Sequence, residues 1–94
     1  MANHIFPQPS MVKSIQAGII TIPGDTTSAT ATINAVNTTK SVVLHGGSRC
    51  PLSTTNPDKI LATVQLTNAT TVTATVGSTT NYNRYVAYTV LEFY

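Results

Sequence analysis

The sequence predicts an all-β fold, a small antiparallel β-sandwich of six strands with an extended N-terminal arm. Three observations predict it. Short segments rich in Ile, Val, Thr and Tyr recur at close spacing, apolar and polar residues alternate within them, and no stretch carries the period of an amphipathic helix. A single domain of 94 residues accommodates two small sheets.

Residues 1–13 form the arm and residues 14–94 the sandwich. The arm carries FPQP, and proline neither donates to a β-ladder nor leaves its own φ free, so this stretch is expected to run outside the sheets. Ile5 and Phe6, next to Pro7 and Pro9, are candidate apolar anchors on a partner. SIQAGIITI, Ser14 to Ile22, sets Ile15, Ala17 and Ile19 on one face and Ile20 and Ile22 on the other. That slip near Gly18 predicts either a bulge or a strand buried on both sides. Pro23-Gly24-Asp25 is a turn. Ser28 to Val36 alternates Ala29, Ala31, Ile33 and Ala35 inward with Ser28, Thr30, Thr32 and Asn34 outward, the period of a half-buried strand.

Lys40 to Gly47 reads as a short apolar strand ending in a glycine pair, with His45 as a strand-end residue. Ser48 to Lys59, with two prolines and little periodicity, is the longest loop. Ile60, Ala62, Val64 and Leu66 share one face of the next strand, and Asn68-Ala69-Thr70 turns the chain into a strand with Val72, Ala74 and Val76 on one side and a row of threonines on the other. Threonine is β-branched and carries a hydroxyl, so such a row favours a strand and tolerates either water or a neighbouring subunit. After the loop Gly77 to Asn83, the last strand is apolar on both sides, as expected of a central strand or one at a subunit interface.

Charged residues make up 9% of the chain, against roughly 25% in an average soluble protein. The pI of 8.9 reflects a shortage of acids, since the five Lys and Arg residues are scattered and do not form a basic patch interleaved with aromatics. No nucleic-acid partner is therefore expected. No run approaches the roughly 20 apolar residues of a membrane span, and the first residues lack the basic and apolar regions of a signal peptide, so synthesis in a cytoplasm is expected. The sequons at Asn37 and Asn68 read as turn and strand-edge residues.

A domain this small needs support from a disulfide, a metal or copies of itself. One cysteine, Cys50, closes no disulfide within the chain, though it permits one between chains. His4 and His45 stand far apart without a cluster of acids, so no metal and no cofactor is expected. Self-association remains, and a surface poor in charge favours it.

The order of these pieces resembles a recurrent small domain of phage and prophage structural proteins. The likeness rests on SIQAGIITI, then SATATINAVNTTKSVVLHG, a variable loop, LATVQLTNATTVTATVG, and YTVLEF at the end, covering nearly all of Ser14 to Phe93. It implies an accessory virion component, such as a head decoration, a collar or a tail-fibre domain, repeated in symmetric groups beside other virion structural proteins. The chain is also similar in outline to H-type lectins, which implies a six-stranded sandwich and a tendency to trimerise. No tryptophan is present and no sugar-binding motif matches residue by residue, so no ligand residue follows from that likeness.

The leading expectation is thus a non-enzymatic structural protein of a virion, a homo-oligomer and by preference a trimer, made in the host cytoplasm and fastened by its arm. The alternative is a binding module for a host surface glycan, with Arg49, Tyr82, Arg84 and Tyr85 as candidate contacts, because aromatic faces and guanidinium groups suit sugar rings and their acidic substituents. Catalysis is not expected. Three dispersed acids and two distant histidines offer no acid/base pair, and His45 ahead of two glycines is weak support for a base beside an oxyanion hole.

Overall fold

The computed structural model describes residues 11–51 and 57–94. The candidate arm residues Ile5, Phe6, Pro7 and Pro9, and the middle of the Ser48 to Lys59 segment, lie outside the described residues. Six strands follow in order: β1 Val12–Ile22, β2 Ser28–Thr32, β3 Ser41–Arg49, β4 Ala62–Asn68, β5 Thr71–Val76 and β6 Arg84–Phe93. They form two three-stranded sheets, β1-β6-β3 and β2-β5-β4, in which every pairing is antiparallel. The expected all-β sandwich is what the chain forms, with short 3-10 turns at Thr38–Lys40 and Pro57–Lys59.

The core lies between the sheets. Ile20 and Ile22 of β1 and Val86, Tyr88 and Val90 of β6 meet Val72, Ala74 and Val76 of β5. The shared face expected for Val72, Ala74 and Val76 is the inward one, and of the two positions expected for the last strand, central or at a subunit interface, β6 takes the central one in its sheet. Burying each such side chain contributes about 1.5–3 kcal/mol, less for alanine.

The structure corrects the expected strand boundaries and irregularities in four places. The irregularity of β1 falls between Val12 and Ser14, not at Gly18, and the strand starts two residues before Ser14. Its alternation past Gly18 is unbroken, with Ile15, Ala17 and Ile19 outward and exposed. Gly18 has a packing reason instead: a Cβ there would stand 2.7 Å from the Tyr88 hydroxyl, so the glycine makes room for the ring of its cross-strand partner.

The β2 strand stops at Thr32, four residues early, and Ala35 is exposed while Val36 is buried. The backbone N–H groups of Ile33 and Val36 donate to Thr70 and Ala69 carbonyls of the β4–β5 turn, which takes them out of the strand period. The Gln16 side chain then serves this segment as a strand would, accepting from Asn34 N–H at 2.8 Å and donating to its carbonyl at 3.0 Å.

Two glycines do not end β3. The ladder with β6 shifts register between His45 and Gly47 and continues to Arg49, so Ser48 and Arg49 belong to the strand and not to the loop. Finally, Ile60 lies in a turn and β4 begins at Ala62. Both sequon asparagines act locally. Asn37 Oδ1 accepts from Thr39 N–H at 3.0 Å and caps a 3-10 turn, while Asn68 Oδ1 accepts from Thr70 N–H at 2.9 Å in the two-residue connection of β4 to β5.

Candidate functional site

The two outer faces of the sandwich differ in chemistry. Across β2-β5-β4 the register aligns Ser28, Thr75 and Thr63, then Thr30, Thr73 and Gln65, then Thr32, Thr71 and Asn68. This face is polar and uncharged, and Thr67 and Thr73 join hydroxyl to hydroxyl across the hairpin.

Across β1-β6-β3 the corresponding rows are Ile15, Leu91 and Val42, then Ala17, Thr89 and Leu44, then Ile19, Ala87 and Gly47, then Thr21, Tyr85 and Arg49. The first three rows carry no charge. Ile15 is 64% exposed and Ile19 68% exposed, the values of side chains with almost nothing packed on them. Strand alternation with one face already buried in the core makes this apolar face available for a second layer.

At the Arg49 end the bulge shapes a cleft of about 300 Å³. Gly46, Gly47 and Ala87 line it together with Ile19 and Ser48, and Arg49 and Tyr85 complete it. Gly47 has φ +123°, a conformation that favours glycine, and a Cβ on it would enter open space. The Arg49 guanidinium lies 5.1 Å from the centroid of the Tyr85 ring, a cation–π distance. Arg49 and Tyr85, two of the four candidate glycan contacts, are therefore brought together.

Arg84 is elsewhere. It is fully buried on the inward face of β6, where Nη1 donates to the carbonyls of Lys59 at 3.1 Å and Ser78 at 2.9 Å, and Nη2 donates to those of Pro23 at 2.9 Å and Thr26. Its Nε has no partner among the described residues. This correction to the sequence reading has a physical reason: a planar fork of donors satisfies carbonyls from three connecting segments at once, which a solvated contact residue would not. Tyr82 is exposed in the loop before β6, outside the cleft lining. Cys50 is a free, half-buried thiol just after β3.

His45 sits beside the bulge. Its Nδ1 accepts from Gly47 N–H at 3.1 Å, so in the neutral ring Nε2 carries the proton and donates to Ser48 Oγ at 3.0 Å. The Gly47 N–H is thereby engaged, and Ser48 is the acceptor of the histidine.

At the opposite end of the sheet Glu92 is buried to 5% exposure. Asn37 N–H donates to it at 2.8 Å, Ser14 Oγ–H at 3.0 Å, and Lys13 Nζ stands 4.0 Å away. The Asn37 N–H above all, then Ser14 and Lys13, hold its carboxyl below the usual carboxylate range against the opposing effect of burial. Among the described residues no group of three or more His, Cys, Asp or Glu is placed to hold a metal ion, and no helix is long and apolar enough to cross a membrane.

The chain matches no protein-family model, no curated protein and no solved structure. Sequence reasoning missed the cleft, because a glycine pair after an apolar run also ends strands. The signal that distinguishes the two cases is the pair Ser48-Arg49, which resumes alternation beyond the glycines.

Proposed function

We propose that this chain is a structural accessory protein of a phage particle, which self-associates through the outer face of β1-β6-β3 and attaches to the particle by its arm. The observation that carries the reading is that face. Its three uncharged rows, spanning the five residues from Ile15 to Ile19 on strands about 4.8 Å apart, present roughly 240 Å² in projection. Contiguous apolar patches of a few hundred Å² on a surface are often functional.

A standard interface takes about 800 Å² from each partner, so these rows make the apolar centre of one and the flanking strand residues its rim, while Ile5 and Phe6 of the arm are left for the particle. The low charge of the chain and its uncharged threonine face suit permanent packing among neighbours better than free diffusion. Three copies are the number expected from the family likenesses. The phage assignment itself draws on the order of sequence pieces from Ser14 to Phe93.

Its test is mass spectrometry of purified phage particles from a lysate in which this chain is produced. The chain is expected in the particle fraction at a fixed ratio to a coat protein. Recovery only in the soluble fraction would reject the virion role and leave the self-association to be judged separately.

A further inference from the structure

We propose that the cleft over the Gly46-Gly47 bulge binds a six-membered ring bearing a carboxylate, the chemistry of an acidic sugar unit or of an aromatic acid. This gives the glycan-binding alternative a ligand class, and it does not depend on the assembly reading. The Ile15 row and the Ile19 row lie about 13 Å apart along β1, so packing centred on the first leaves the second at the rim.

The cavity volume of about 300 Å³ is at the small end for ligand sites, which limits the occupant to about one ring. Its lining is mainly apolar, with Ile19, Ala87 and bare glycine backbone, as suits the face of a ring. The bulge keeps the space open. A side chain at Gly46 would press its Cβ to 3.0 Å from that of Ala87, and Gly47 has a backbone conformation that other residues resist.

The charged group at the cleft suits an anion. Tyr85 holds the Arg49 guanidinium from one face, leaving the edge of the planar fork to donate. Among the described residues the Arg49 side chain makes no hydrogen bond or ion pair, and all three acidic side chains lie elsewhere: Glu92 is engaged by Asn37, Ser14 and Lys13, and Asp25 and Asp58 are not among the cleft residues. Ser48 pairs with Val86 of the inward row and bonds His45 on that side of the sheet, so it meets the cleft through its backbone and leaves Arg49 as the charged donor there. A carboxylate placed there would receive two parallel N–H donors from Arg49, the bidentate geometry that guanidinium groups favour.

The test is an NMR titration of the full-length chain with sodium glucuronate, sodium benzoate, glucose and benzyl alcohol, read at the backbone amides of Gly46, Gly47, Ser48 and Ala87. At least one acid is expected to shift these amides at millimolar concentration, with its neutral counterpart about tenfold weaker for want of a charge-assisted bond, a difference of about 1.4 kcal/mol. Which acid binds identifies the source, sugar or aromatic. Arg49→Gln, with an unchanged circular dichroism spectrum, is expected to weaken that acid about tenfold, and Arg49→Lys to restore part of it. The inference is overturned if neither acid moves these amides, if the neutral compounds bind as well, or if Arg49→Gln binds undiminished.

Discussion

Arg84 and Glu92 stand at the two ends of the inward row of β6, both buried, Arg84 satisfied by connecting segments and Glu92 by the β2–β3 connection together with β1. Arg84 gathers carbonyls from Pro23, Thr26, Lys59 and Ser78, and Glu92 gathers the Asn37 N–H and the Ser14 hydroxyl. The apolar side chains between them are Val86, Tyr88 and Val90. A small core is thus closed at both ends by charged groups that tie connecting segments to the last strand.

Removing the Arg84 fork should damage the fold severely. In Arg84→Met a side chain of similar length fills the space, but four carbonyls lose a charged donor. The expected loss is about 3 kcal/mol or more, seen as a lower urea midpoint with an unchanged slope. A midpoint within error of the parent would show that water satisfies those carbonyls equally well.

Glu92 predicts an acid limit to stability. Its pKa is depressed in the folded chain, so the stability it contributes is complete above the unfolded value of roughly 4.3 and is lost as pH falls through the lower folded value. Glu92→Gln should therefore be less stable than the parent at neutral pH and should show a flatter decline below about pH 4.3, measured by thermal unfolding across pH. Parallel curves for the two proteins would remove Glu92 as the source of the acid response.

Gly24 is held against the loop before β6. A Cβ there would come within 2.7 Å of both the Thr80 carbonyl oxygen and the Tyr82 nitrogen, and Thr80 N–H already donates to the Gly24 carbonyl at 2.8 Å. Because the obstacle is backbone, Gly24→Ala should cost about 1–3 kcal/mol. For a domain of this size that lowers the melting temperature by roughly 4–8 °C per kcal/mol.

Much of the fold is legible in the sequence where one residue type repeats on one face. Val72, Ala74 and Val76 alternate with threonines, and Val86, Tyr88 and Val90 with Tyr85, Ala87 and Thr89, and each row lies where its period places it. The period misleads where backbone partners come from far along the chain. Ile33 and Val36 leave β2 because Thr70 and Ala69 offer carbonyls to them, and nothing local to Ser28–Val36 announces that. Arg84 follows the same logic, since its partners are drawn from segments 6 to 61 residues away. Of the candidate site, Arg49 and Tyr85 could be chosen by chemistry, but their meeting depends on the bulge at Gly46-Gly47, which reads locally as a strand end.

Self-association through the face that carries Ile15 and Leu44 is the central claim, and light scattering after size-exclusion chromatography tests it most directly. The full chain at micromolar concentration should elute as a closed oligomer, three copies being expected, and Ile15→Lys/Leu44→Lys should elute as a folded monomer with an unchanged circular dichroism spectrum. A full chain that runs as a monomer of 9.9 kDa, or a double variant that assembles as well as the parent, would contradict it.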